Sequence, residues 1–188
     1  MTVKQGEAGH AGGPHRCGQE HRVQAPAGPV SAGDRYGDHR RREVGDITDR
    51  ERRTCIGCVE QHFSRVPGTV LEQITLGDPQ ITGKMARDAA ALAGIDAAIR
   101  ALPEGYDTVC TEGIFSQGEW QLLSIARAAA ADPAVLLLDE ITANLDAETE
   151  ARVLEALRRA SAGRTVLSVS HRVYENLGGR TIEIRTRE

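Results

Sequence analysis

Residues 133–146 read PAVLLLDEITANLD, and this stretch decides the architecture. Val135, Leu136, Leu137 and Leu138 form a continuous apolar run too short for a helix. The run predicts a strand buried on both faces, as in a parallel sheet. It closes on Asp139 and Glu140. Ligands of open α/β sheets bind beyond the carboxyl ends of the strands, and two carboxylates there suit a magnesium nucleotide. Asp139 would hold the cation directly or through water, and Glu140 would polarise an attacking water. Taken alone, an acidic turn at a strand end is the plainer reading of this pair, because short acidic motifs recur by chance.

The flanking residues weigh the other way. Residues 115–133, FSQGEWQLLSIARAAAADP, predict a long helix over 116–131 with Ser116 as its N-cap. A helix start offers free N–H groups and a positive dipole end, so it attracts phosphate. Ser116, Gln117 and Gly118 lie there, and Gly118 admits close backbone approach. Downstream, SVSHR puts His171 just past a second apolar run, 165–169. A histidine there can reach a terminal phosphate or the attacking water, although a histidine after a strand is more often structural. Gln61, in VEQHF, carries an amide that can reach a metal or a water, and by itself it says little.

The rest of the chain after about residue 53 is regular. CIGCVEQHF at 55–63 predicts a short strand leading to a loop, and Pro67 with Gly68 marks a turn. Helices are predicted over 69–76, over 82–93 with Gly94 as C-cap, over 96–102 halted at Pro103, and over 148–160 before Gly163. Residues 181–184 predict an edge strand. Helices alternating with short apolar strands predict a parallel sheet with helical crossovers.

Composition bounds the function classes. The chain has 188 residues, 40% of them hydrophobic and 3% aromatic, so the core is expected to be Leu, Val, Ile and Ala in one domain with or without a tail. A net charge of -4 gives no reason to expect nucleic acid as a partner. No apolar run reaches the roughly 18 residues of a membrane span, and MTVKQGEAGH has no signal-peptide core. A cytosolic chain, at most docked on a membrane partner, is the expectation. Cys55 and Cys58 form C-x-x-C with His62 close behind, but no second ligand pair stands at zinc spacing. They read as two thiols on or beside a strand.

Together these segments resemble the ATP-binding-cassette family, the motor domains of ABC transporters. The resemblance covers about residues 56–184. Gln61 stands where that family has its glutamine loop, 69–112 where it has a helical subdomain, and Phe115-Ser-Gln-Gly-Glu119 where it has the signature motif. Val135-Leu-Leu-Leu-Asp139 with Glu140 matches the Walker B strand, Ala143-Asn-Leu-Asp146 the D-loop, and His171 the histidine switch. LPEGYDT and PGTVLEQITLGDP look like exporter-type cassettes.

The resemblance implies an α/β fold: a P-loop NTPase-like parallel sheet core with an ABC-type α-helical subdomain, its N-terminal part incomplete or disordered. Residues 46–188 would form the ATPase domain, with the helical subdomain at about 69–115. It implies ATP and Mg²⁺ as cofactors, and a second cassette and a transmembrane domain as partners. Glu140 and His171 would be catalytic, Asp139 and Gln61 metal-binding, and Ser116, Gln117, Gly118, Asp146 and Gln61 nucleotide-binding. Ser116 would act across a dimer interface. The signature departs from the usual Leu-Ser-Gly-Gly-Gln: Gln117 costs backbone freedom, and Glu119 adds negative charge near a phosphate site.

Residues 1–45 differ in character. They are rich in Gly, Arg, His and Pro without a helical or strand period, and read as irregular and disordered. A cassette needs G-x-x-x-x-G-K-[ST] here, yet residues 12–26 read GGPHRCGQEHRVQAP. Back-translated and shifted by one nucleotide, the codons for 15–24 permit Thr-Gly-Ala-Gly-Lys-Ser-Thr-Val-Phe-Lys, and the two before them permit Gly-Pro. A complete phosphate loop is thus allowed in the other frame. In-frame VKQGE at 3–7 and GDITD at 45–49 match the usual flanks. The expectation is a pair of compensating frameshifts near Glu7 and Arg41, with the first core strand and its helix lost from the chain as written.

Overall fold

The computed structural model describes residues 8–12, 54–60, 63–139, 141, 145–169 and 180–183; of 8–12, 169 and 180–183 it describes the backbone alone. The described strands are β1 (Ala8–Gly12), β2 (Ile56–Val59), β3 (Val135–Asp139), β4 (Thr165–Val169) and β5 (Arg180–Glu183). They join in the order β2-β3-β4-β1-β5, and every neighbouring pair is parallel. The second apolar run is a strand over the predicted residues, and the last strand lies at the sheet edge as expected.

The helices are set by their punctuation. Thr69 caps α1 (Val70–Thr75) through a reciprocal capping box with Glu72. Thr82 caps α2 (Gly83–Ala93), and Gly94, at φ 78°, ends it in the left-handed region. α3 (Asp96–Arg100) is shorter than predicted. α4 (Gln117–Ala130) starts on Ser116, and α5 (Ala147–Ser161) on Asp146. Ala86, Ala89, Ala90 and Ala93 are the buried positions of α2. Such small side chains let α2 lie close against α4. α1 and α2 pack against α4, and α3 packs on α2, as a helical layer. Tyr106 fastens it by donating to Asp96 Oδ1 at 2.6 Å. That bond holds the Asp96 carboxyl below its usual range and, together with burial, pushes the Tyr106 hydroxyl up.

Two expectations are corrected. The first core strand was expected to be lost from the chain as written, yet Ala8–Gly12 pairs with β4 on one side and β5 on the other. Strand pairing is made by backbone N–H and C=O groups, so a Gly/Ala/His stretch without a period can still supply it. The run at 135–138 was expected to be buried on both faces. Instead Leu136 and Leu138 are buried, while Val135 and Leu137 are half-buried. On the side of Leu136 the described cover is α4: Gly57 of β2 lies so close to it that a Cβ would collide with the Ala128 carbonyl. The described helices α4 and α5 touch each other.

The asymmetry sets unequal costs for neighbouring truncations. Leu136→Ala is expected to destabilise by about 3 kcal/mol, the range of a buried leucine. Leu137→Ala is expected to cost less, about 1–2 kcal/mol, because part of its area is already in water. Urea unfolding of both variants checks the difference.

Candidate functional site

The sheet sets the ends of its strands at one edge. Register pairs Val59 with Leu138, Asp139 with Val169, and Val169 with Ala11. The carboxyl ends of β2, β3, β4 and β1 therefore stand side by side, where α/β sheets take ligands. Asp139 is exposed at the end of β3. Its field reaches Cys58 on β2, whose thiol is pushed up by burial first and then by Glu60 and Asp139. Gln61, Glu140 and His171, which follow these strands in sequence, lie outside the described residues, as do residues 142–144. Cys55 and Cys58 are free thiols, and among the described residues no cluster of three His, Cys, Asp or Glu side chains is placed to hold a metal.

A second group of predicted residues gathers at the helix starts. Ser116 and Gln117 are exposed, while Gly118 is buried. Ser116 is already engaged: its N–H and its hydroxyl both donate to Glu119 Oε2 at 2.8 Å, and the Glu119 N–H donates back to Ser116 Oγ at 3.3 Å. The departure at 119 thus places a carboxylate over the positive end of α4. A phosphate arriving there competes with an anion the chain supplies itself. Gly118 does not face open space either, because a Cβ would overlap the Thr149 methyl. Its smallness serves the packing of α4 on α5 rather than the approach of backbone to a phosphate alone. Asp146 caps α5, accepting from the Glu148 and Thr149 N–H groups at 3.1 and 3.0 Å.

Sequence reasoning missed the fastening of the segment that follows Gln61. Arg127, on α4, donates from Nε to the Gln73 carbonyl at 2.6 Å and from Nη1 to the Ser64 carbonyl at 2.9 Å. Its guanidinium lies 3.9 Å from the Phe63 ring centre, and burial pushes its pKa down to about 10. Gln73 grips Val66 from both sides, accepting from its N–H at 3.0 Å and donating to its carbonyl at 2.5 Å. Phe63 stacks on Trp120 at 5.0 Å, and Phe115 meets Trp120 edge-on at 5.2 Å. Phe63 and Trp120 were rare aromatics in a chain that has few, the one signal available in sequence.

A family model described as ABC transporter matches residues 28–143, which run from after the 12–26 stretch through Gln61, Ser116–Glu119 and Asp139. The chain belongs to the ABC transporter family. It is 41% identical over 157 residues to the mycobactin import ATP-binding/permease protein IrtA of Mycolicibacterium smegmatis, covering 78% of this chain and 18% of that protein. It is 41% identical over 134 residues to the ABC transporter ATP-binding protein YfiC of Bacillus subtilis, covering 70% and 22%. To the mitochondrial potassium channel ATP-binding subunit of Xenopus tropicalis it is 43% identical over 120 residues, covering 63% and 17%. The chain spans about a fifth of the length of these curated relatives. The parallel sheet with its helical layer is the fold of an ABC nucleotide-binding domain. Among the described residues no helix is long and apolar enough to cross a membrane.

The capping box at 116–119 gives a direct test of how this ABC signature is held. Glu119→Ala is expected to cost about 1 kcal/mol of stability, the worth of a helix cap, while Glu119→Gln keeps the reciprocal bond and loses no more than a few tenths. Thermal melts of the two variants beside the wild type check this order.

Proposed function

We propose that this chain is the ATP-binding and ATP-hydrolysing part of an exporter-type ABC transporter. The observation that carries the reading is the register that sets Asp139 beside the ends of β2, β4 and β1 in an ABC fold. Residues 46–188 form the ATPase domain. Two cassettes close on two nucleotides, either as two copies or as two different chains, and a transmembrane domain holds them at the cytoplasmic face of the membrane. The cargo is chosen in that transmembrane part.

The residues divide the work. Asp139, with Gln61, would hold Mg²⁺, and an exposed carboxylate at a strand end suits a hard cation that takes oxygen ligands. The cation, when bound there, would supply positive charge against the terminal phosphates. Glu140 orients the attacking water, and His171 steadies the γ-phosphate. Ser116, Gln117 and Gly118 face the partner cassette's nucleotide, with Glu119 swung off Ser116 as the sandwich closes. Asp146 links the two sites.

The chain as written lacks G-x-x-x-x-G-K-[ST], whose N–H groups and lysine would cradle the β and γ phosphates. We propose that two compensating frameshifts replaced this loop, and that the written chain binds ATP weakly or not at all. The same absence favours a second reading, a decayed remnant that keeps the fold without catalysis. A soluble cassette ATPase unlinked to transport has no feature in its favour here, since such proteins carry coiled-coil insertions or tandem cassettes.

Resequencing the gene tests the frame: DNA that does not spell a Gly-Lys-Ser loop one nucleotide over ends the frameshift proposal. ATP hydrolysis by the written chain and by a frame-restored version tests the function. The restored chain is expected to be faster by about a hundredfold or more, the scale of losing preorganised phosphate contacts, and Glu140→Gln is expected to abolish the gain. Micromolar ATP affinity in the written chain would contradict the proposed loss, and an inert restored chain would leave the remnant reading standing.

A further inference from the structure

Phe63 stands two residues after Gln61, and two side chains from α4 meet it. Trp120 and Arg127 are seven residues apart, two turns of one helix, and so lie on the same side of it. The Phe63 ring centre is 5.0 Å from that of Trp120 at a tilt of 32°, and the Arg127 guanidinium stands 3.9 Å over the Phe63 ring. Both neighbours are held in turn. Arg127 gives Nε and Nη1 to the Gln73 and Ser64 carbonyls, so one side chain grips the ring at 63 and the main chain at 64. Phe115, just before the Ser116 cap, meets Trp120 edge-on at 5.2 Å, and such a pair across a helix start fixes how the chain enters the helix. Arg65 lies 5.7 Å over the same indole.

We propose that Phe63 is a positioning residue: it registers the exit of the Gln61 segment against the first turn of α4, so that Gln61 and Ser116 are placed by one contact. The proposal rests on the function proposed above, in which Gln61 serves this chain's nucleotide and Ser116 the partner cassette's. The path is short at both ends. Two residues of chain span about 7 Å at most, so the place of Phe63 bounds the place of Gln61. Trp120 directly follows Glu119, whose Oε2 accepts from the Ser116 N–H and hydroxyl at 2.8 Å. A displaced Phe63 ring therefore moves Trp120, and a displaced Trp120 disturbs the cap that orients Ser116. An aromatic ring suits the position because it attracts a guanidinium and an indole together. Leucine would fill the space without either attraction, and tyrosine would keep both.

Trp120 is the only tryptophan in the chain, so its emission reads the contact in the full chain without nucleotide. Amide exchange reads the two ends: at Glu119, whose N–H donates to Ser116 Oγ, and at Val66, whose N–H donates to Gln73 Oε1. Phe63→Leu is expected to shift the emission to the red and to speed exchange at Glu119 about fivefold, the scale of one aromatic pair. Trp120→Leu is expected to speed exchange at Val66 by a similar factor, because coupling between two places is reciprocal. Exchange at Leu157, in α5, should not change in either variant. Phe63→Tyr should match the wild type throughout. In the frame-restored chain, Phe63→Leu is expected to lower kcat about tenfold or more, the effect of a small misplacement at the reacting centre. KM for ATP should stay, because affinity there comes from the restored loop, and Phe63→Tyr should recover kcat.

Wild-type exchange at Glu119 in a folded Phe63→Leu overturns the proposal. So does equal acceleration at Leu157, which marks general loosening. So does an active restored chain whose Phe63→Leu form keeps its kcat. Should Phe63→Leu fail to fold, Phe63→Met takes its place and is read the same way. A restored chain that is inert with Phe63 in place sinks the functional reading instead, and the reciprocal exchange still decides whether Phe63 registers the segment on α4.

Discussion

The parallel ladder is the constraint on which the rest depends. Pairing β2, β3, β4 and β1 in one direction leaves their carboxyl ends on a common edge. Parallel strands need long crossovers, and α5 is one of them, returning from β3 to β4. Once that register is set, Asp139 has no freedom to be elsewhere, and each residue that follows a strand begins its path from the same edge. A one-residue slip of β3 would exchange Leu136 and Leu138 for Val135 and Leu137 against α4. The fully buried Leu136 and Leu138 hold the register against that.

The helical layer answers a different demand, that of holding helix starts rather than strand ends. α2 presents alanines to α4, and α4 is buried along most of its length. α4 thus becomes a rigid rod whose first turn is fixed from two sides. Trp120 packs on Phe63 and Phe115. Gly118 packs on Thr149. Arg127 reaches back to the segment after Gln61 with a desolvated guanidinium that spends its hydrogen bonds on carbonyls. A half-buried cation with its donors matched to backbone acceptors is costly to unpair, so the segment at 63–66 and α4 form one body.

Local signals were legible in the sequence wherever a single residue type decides the outcome. Ser116 and Gly94 announced the helix ends that formed, because caps depend on residues within a turn of the backbone they satisfy. The run at 135–138 announced its strand. What stayed hidden was non-local. Ala8–Gly12 has no period to read, and its place between β4 and β5 depends on partners more than 150 residues away. The uneven burial of β3 was hidden for the same reason, since periodicity reports what a strand tolerates and not what covers it. At the candidate site, Ser116, Gly118, Asp139 and Asp146 could be named from motif order. That Glu119 would occupy Ser116, or that Thr149 would fill the space beside Gly118, could not, because each is a distance between side chains rather than a spacing.

The N-terminal tract separates what a backbone can do from what only side chains can do. β1 forms from AGHAG because pairing draws on groups that every residue carries except the N–H of proline. It delivers the chain to Gly12, at the level of Val169 and Asp139, where the sequence continues GPHRCGQEHR. A phosphate cradle at that point asks for more than backbone. It needs glycines that turn tightly and a lysine that reaches the β and γ oxygens. On the proposed reading of the tract as out of frame, the topology outlasts the loss because it is written in the main chain. The phosphate chemistry does not, because it is written in residue identity. A fold recognisable as ABC and a chain without its phosphate loop are then two consequences of one event.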